Sequence, residues 1–235
     1  MKKRSKRYKE ISKKIDAKKF YLLGEAVGII KESPKTKFDE TVNLTIQLGI
    51  DTSNQNMQVR GAVSLPKGIG KKVRILAIAD GKEADEAKQE GADFVGGDEL
   101  IDKIQKGWTD FDSVVTTPDM MKKLAKAGKV LGPRGLMPSP KTGTVANDLG
   151  KIVKEMKLGR VEFRNDKFGN LHLVVGKSSF SGSDLKDNII ALVKAVLKEK
   201  PHNSKGDYLN KVYMFTSMGP SIRLDVRQFT DISKI

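Results

Sequence analysis

The chain has 235 residues, 44 Lys and Arg against 29 Asp and Glu for a formal charge of +15, and no Cys. The charge predicts a polyanionic partner held through counterion release, and the absence of Cys excludes a disulfide framework or a thiolate metal site. His172 and His202 are the only imidazoles, too few for a histidine-built metal centre or an obvious triad, so neither a metal nor a cofactor is expected.

In chain order, the first twenty residues carry ten basic and two acidic side chains, a basic arm that is either solvated or ordered by RNA. The apolar run Phe20 to Leu23 stops at Gly24 and Glu25, too soon for a signal peptide, and no later run approaches a membrane span; a soluble, unprocessed protein without a membrane partner is expected. Phe20 to Ile30 predicts a helix in spite of Gly24 and Gly28. Val42, Leu44, Ile46, Leu48 and Ile50 alternate with polar residues, the period of a strand buried on one face.

From Gly70 the pattern changes. A strand over Val73 to Ala79, a helix near Lys82 to Glu90, a strand at Phe94 and Val95, a helix from Glu99 to Lys106, a strand from Ser113 to Thr116 and a helix from Met120 to Ala127 make a βαβαβα order. That order implies a parallel sheet covered on both faces. A segment rich in Gly and Pro follows, VLGPRGLMPSPKTGTV at residues 130–145. Beyond it, Val161 with Phe163, Leu171 with Leu173 and Val175, and Val212 with Met214 return to strand alternation. Leu185, Ile189, Leu192, Val193 and Val196 mark a helix over about Asp184 to Lys198.

Neither flank has enough strands to stand alone, so residues 1–69 and 159–235 are expected to form one discontinuous α+β domain, an antiparallel sheet with helices on one face. Residues 70–158 form an inserted, Rossmann-like three-layer α/β domain. Charge divides the same way: residues 70–158 hold 16 basic and 14 acidic side chains, the flanks 28 and 15. The polyanion-binding surface is therefore assigned to the flanks. The connections near 65–70 and 158–160, with Pro66, Gly68, Gly70 and Gly159, are either ordinary turns or a hinge.

The Gly and Pro segment invites a phosphate-loop reading. Gly135 to Thr142 nearly spells the P-loop pattern, but Pro140 replaces its second Gly and has no N–H to offer a phosphate. Gly132 to Gly135 meets the GXXG clamp of KH domains, yet Pro138 and Pro140 follow where that clamp needs a helix. The alternative function, a nucleotide- or small-ligand-binding α/β enzyme with a basic accessory domain, lacks a GxGxxG after Val73 to Ala79 and places acid-rich Glu83 to Glu90 where a pyrophosphate would sit.

Residues suited to RNA stand where breakers and hydroxyls end strands in the basic domain. Ser217, Met218, Gly219, Pro220 and Ser221 interrupt the last long strand, Lys37 and Phe38 begin the first, and Arg164, Asn165, Asp166 and Lys167 make a polar turn. Each has a plainer reading: a core ring at Phe38, a bulge at Met218, a hairpin loop over 164–169.

The chain also resembles the bacterial large-subunit ribosomal protein L-one family, the protein of the ribosomal side stalk. The resemblance is carried by residues 130–145, by Lys37 to Val42, by Val59, Arg60 and Gly61 with Ser64, Leu65 and Pro66, by Arg160 to Lys167, and by Ser217 to Pro220. Many members have Thr where Ser217 stands; the hydroxyl is retained. The resemblance implies a non-enzymatic, cytoplasmic constituent of the large ribosomal subunit that binds the side stalk of 23S rRNA, with Phe38, Thr41 and Ser217 to Gly219 among the contacts. It further implies help in releasing deacylated tRNA from the exit site, repression of the protein's own operon mRNA, opening and closing between domains, and a monomer off the ribosome. Lys37, Arg164, Asp166, Lys167 and Ser221 complete the expected rRNA-binding set.

Overall fold

The computed structural model describes residues 4–33, 36–52, 57–201 and 206–230, so His202, the first three residues of the basic arm and the last five of the tail lie outside the described residues. The elements in order are α1 (Lys6–Lys13), α2 (Leu23–Glu32), β1 (Thr41–Leu48), β2 (Arg60–Ser64), β3 (Ile75–Ile78), α3 (Lys82–Gln89), β4 (Phe94–Gly96), α4 (Asp98–Gln105), β5 (Ser113–Thr116), α5 (Pro118–Leu124), α6 (Gly128–Leu131), α7 (Leu149–Leu158), β6 (Arg160–Arg164), β7 (Asn170–Lys177), α8 (Gly182–Lys198), β8 (Leu209–Thr216), β9 (Ile222–Leu224) and α9 (Arg227–Thr230). They gather into two compact units, Met1–Gly70 with Val161–Ile235, and Lys71–Arg160.

In the first unit β1 lies between β7 and β8 in a four-stranded sheet of order β7-β1-β8-β9, with antiparallel pairing throughout. Strict alternation on β1 sends Val42, Leu44, Ile46 and Leu48 into the core and leaves Thr41, Asn43, Thr45 and Gln47 on the second face. Two helices cover the apolar face: α2 with Leu23, Ala26, Val27 and Ile30, and α8 with Leu185, Ile189, Leu192, Val193 and Val196. This is the expected α+β arrangement. A two-stranded ribbon of β2 and β6 adds Val59 and Phe163 to the same core.

One buried polar side chain organises this unit. Asn188 of α8 is fully buried; its Oδ1 accepts from the Lys67 N–H at 3.1 Å, and its Nδ2 donates to the carbonyls of Gly68 at 2.9 Å and Val175 at 2.8 Å. A buried amide is tolerated only when satisfied in this way. The Lys67–Asp184 ion pair at 3.2 Å ties the same stretch of chain to α8.

The second unit is a three-layer α/β unit with the parallel sheet β4-β3-β5. All of β3 is buried, and its alternate residues feed two cores. Leu76 and Ile78 meet Ile101 and Ile104 of α4 with Met120 and Leu124 of α5 on one face; Ile75 and Ala77 meet Ala87 of α3 with Leu149, Ile152, Val153 and Met156 of α7 on the other. Helix α7 is absent from the sequence reading. Its signals were nonetheless local: Asp148 caps it by accepting from the Lys151 N–H, its apolar residues recur at helical spacing, and Gly159 ends it in the left-handed region at φ 108°.

The Gly and Pro segment is folded onto its own unit. Gly132 and Gly135, the latter at φ 71°, close the end of α6, while the hydroxyls of Thr142 and Thr144 are drawn onto Ser139. Gly143, at φ 68°, lies under the Arg160 guanidinium, which donates to the Thr142 carbonyl at 2.6 Å and pairs with Glu155 at 2.6 Å. Its left-handed backbone calls for glycine, and a Cβ there would fall 2.4 Å from that guanidinium and displace it.

Candidate nucleic-acid interface

Part of the basic arm is a helix, α1. Ser5 caps α1 by accepting from the Tyr8 N–H at 3.2 Å, and Ile11 is buried. From α1, Arg7 reaches the far end of the chain: one of its nitrogens donates to the Met218 carbonyl at 2.9 Å, and the other pairs with the largely buried Glu40 at 3.3 Å. Arg7 is missing from the sequence-based set, although Ser5, Tyr8, Ile11 and Ile15 carried a capping and spacing signal.

The Arg7 contacts fall on one edge of the four-stranded sheet, where β1 begins and β8 ends. Ser217 closes that edge through its backbone and its hydroxyl: its N–H donates to the Thr41 carbonyl at 3.0 Å, and its Oγ accepts from the Thr41 N–H at 3.2 Å. Lys177 donates to Thr41 Oγ1 at 3.0 Å. Gly219 turns back so tightly, its N–H on the Thr216 carbonyl, that a Cβ there would lie 2.4 Å from Thr216 Oγ1. Phe38 and Met218 flank this hydrogen-bonded edge, each 55% exposed, and Lys37 and Ser221 are exposed beside them. The core-ring reading of Phe38 therefore fails.

Asp39 keeps the edge in shape. Burial works to raise its carboxyl, but hydrogen bonds from Ser179 and Ser178 outweigh that effect and hold it below the ordinary value. It ties the start of β1 to the loop between β7 and α8.

Arg164, Asp166 and Lys167 are not part of that cluster. The antiparallel register sets Thr41 opposite Lys177 and Gln47 opposite Asn170, so the 165–169 turn lies at the other end of β1, about 20 Å away along the strand. There Asp166 accepts from the N–H groups of Phe168 at 2.8 Å and Asn170 at 2.7 Å and from Asn170 Nδ2 at 3.0 Å. Burial raises the Asp166 carboxyl, and the bonds from Asn170 and Phe168 more than offset it, leaving the group below its usual value. Asp166 thus shapes the turn, and the exposed groups are Arg164, Lys167 and Phe168, the last 81% exposed with its ring free of the core. Phe168 is a second residue the sequence-based set omits. Its mark is an aromatic at a hairpin tip, indistinguishable by pattern from an inward-packed one.

The connections hold Pro66, Gly68 and Gly70 in the first unit, with Gly68 and Gly70 at φ 65° and 68°, and Gly159 as the C-cap of α7 in the second. In the second unit the helices that follow the sheet strands begin with acids: Glu83 and Asp85 on α3, Asp98 and Glu99 on α4, Asp119 on α5. Anionic side chains there occupy the helix ends that a phosphate would use. A Cβ at Gly97 would meet Asp80 Oδ1 at 2.4 Å, so a further carboxylate stands at the carboxyl end of the sheet.

Comparison with known proteins agrees with this architecture. Residues 30–220 match the model of the ribosomal protein L1p/L10e family. The protein named large ribosomal subunit protein uL1 of Kosmotoga olearia is 51% identical over 225 residues, covering 96% of this chain and 97% of the relative. The protein of the same name from Thermus thermophilus is 51% identical over 226 residues, 96% of this chain and 99% of its own length. That of Protochlamydia amoebophila is 47% identical over 224 residues, 95% of each chain. With its length matched almost end to end, this chain belongs to the bacterial ribosomal protein L1p/L10e family, a family of structural ribosomal proteins.

Proposed function

We propose that this protein is a constituent of the large subunit of cytoplasmic ribosomes whose basic α+β unit grips the side stalk of 23S rRNA through the Thr41–Ser217 edge. The observation that carries the reading is the pair Phe38 and Met218, two large apolar side chains 55% exposed on either side of a rigid, hydroxyl-bearing backbone edge. Exposed apolar groups beside polar backbone mark a recognition surface, and a folded RNA presents ribose edges and unstacked bases to match. Lys37, Thr41, Ser217, Gly219 and Ser221 contribute at that edge; Arg164, Asp166 and Lys167 contribute from the opposite end of β1 as a second contact. The excess of 28 basic over 15 acidic side chains outside residues 70–158 supplies salt-dependent affinity.

Membership of the family supports the finer roles. The inserted unit assists deacylated tRNA as it leaves the exit site, by movement across the connections at 65–70 and 158–160, and the RNA-binding edge accepts a mimic of the stalk in the protein's own operon mRNA and represses its translation. Off the ribosome the protein is a monomer. Hydroxyl-radical footprinting of large subunits with and without the protein tests the main reading: protection confined to the side stalk is expected, and protection elsewhere or none overturns it.

A further inference from the structure

The β2–β6 ribbon places two arginines face to face. The Asn165 N–H donates to the Val59 carbonyl at 3.1 Å, the Val59 N–H donates to Asn165 Oδ1 at 2.8 Å, and a Cβ on Gly61 would touch the Phe163 ring at 2.7 Å. Residue 59 thus faces 165 and residue 61 faces 163, an antiparallel register that sets Arg60 directly opposite Arg164. Val59 and Phe163 belong to the core, so alternation turns Arg60 and Arg164 to the other face of the ribbon.

Like charges directly opposite on a ladder are destabilising, and ladders ordinarily avoid them. No ion pair links either guanidinium to a carboxylate among the described residues. Arg60 donates one bond, from Nη2 to Gln58 Oε1 at 2.6 Å, while its Nε is buried with no hydrogen-bond partner. Burial, and then the charge of Arg164, lower the Arg60 guanidinium below its ordinary value. A guanidinium set directly opposite a second, exposed one, with no described carboxylate paired to either, matches a tetrahedral oxyanion bridging their outer nitrogens.

We propose that Arg60 and Arg164 clamp one phosphodiester of the bound RNA, an anion site separate from the Thr41–Ser217 edge. The clamp rests on the RNA-binding reading above and gives the protein a second hold on its RNA. Arg60 becomes a binding residue, and the directly opposed charges are a cost the free protein carries until the phosphate arrives.

The test compares wild type with R164Q, R60Q, the double variant and R60K, all in the full chain. Melting temperature is measured in chloride without RNA, and affinity across a salt series for the side-stalk fragment of 23S rRNA and an unrelated hairpin. R164Q is expected to melt at or about 1–3 °C above wild type, because repulsion is relieved at an exposed side chain. It is also expected to bind either RNA about tenfold or more weakly, with the slope of log affinity against log salt reduced by about one, the value of one phosphate contact. R60K, which keeps charge but not the fork, should lose affinity without recovering stability. Wild-type affinity and salt slope in the double variant overturn the clamp, as does R164Q melting well below wild type. Preference for the side stalk over the hairpin is a separate ratio, so failure of the clamp and failure of the proposed function are read from different quantities.

Discussion

Replacing Met218 with Asp separates binding from folding at the Thr41–Ser217 edge. The Met218 side chain is 55% exposed, and Arg7 donates to its backbone carbonyl, which the substitution keeps. The free protein should therefore change in stability by no more than about 0.5 kcal/mol, as for other surface positions. In the complex two losses add. The apolar surface that RNA covers is worth about 1 kcal/mol, and a carboxylate near a phosphate costs about 2–3 kcal/mol more at the effective dielectric of a protein surface after screening. The sum corresponds to a loss of about two to three powers of ten in affinity; Met218→Ala, with only the first loss, should cost about fivefold. Fluorescence anisotropy with the side-stalk fragment gives the affinity, and circular dichroism melting confirms the fold. Wild-type affinity for Met218→Asp with normal melting would refute the reasoning and remove this edge from the interface.

Two further outcomes concern the scaffold. Asn188→Ala removes three bonds, one of them a buried bond to the Val175 carbonyl, so denaturant unfolding should report a loss of about 3 kcal/mol in the first unit. Asp112, in the second unit, is bonded by Lys71 first and also by Arg74, and its carboxyl falls from 3.8 to about 2. Because the folded value lies below the unfolded one, the stabilisation is complete above about pH 4 and is lost as pH falls towards 2; Asp112→Asn should flatten the acid limb of the melting profile there.

The alternation of Val42 to Leu48 and the helical spacing of Leu185 to Val196 made the α+β unit legible, because each pattern reports one face meeting one core. The βαβαβα order gave the parallel sheet for the same reason. What escaped was short or bridging. Helix α1 lies inside a run dense in lysine, where charge obscures the single buried Ile11, and α7 follows a Gly and Pro segment whose spacing imitates a phosphate loop. At the candidate interface, Phe38 and Met218 were legible as residue types beside breakers. Arg7 was not, since its partners Glu40 and Met218 are distant in sequence, and neither was the Arg60–Arg164 pairing, which depends on a strand register across a long insertion. Local propensity is written locally; a site assembled by register is not.

The most direct test of RNA recognition is binding to the side-stalk fragment of 23S rRNA beside an unrelated hairpin of equal length, measured across a salt series. The proposed function predicts a preference of about a thousandfold or more for the stalk at physiological salt, persisting as the shared salt slope weakens both. Equal binding of both RNAs with one steep slope would contradict it and leave the charge of +15 as the whole of the attraction.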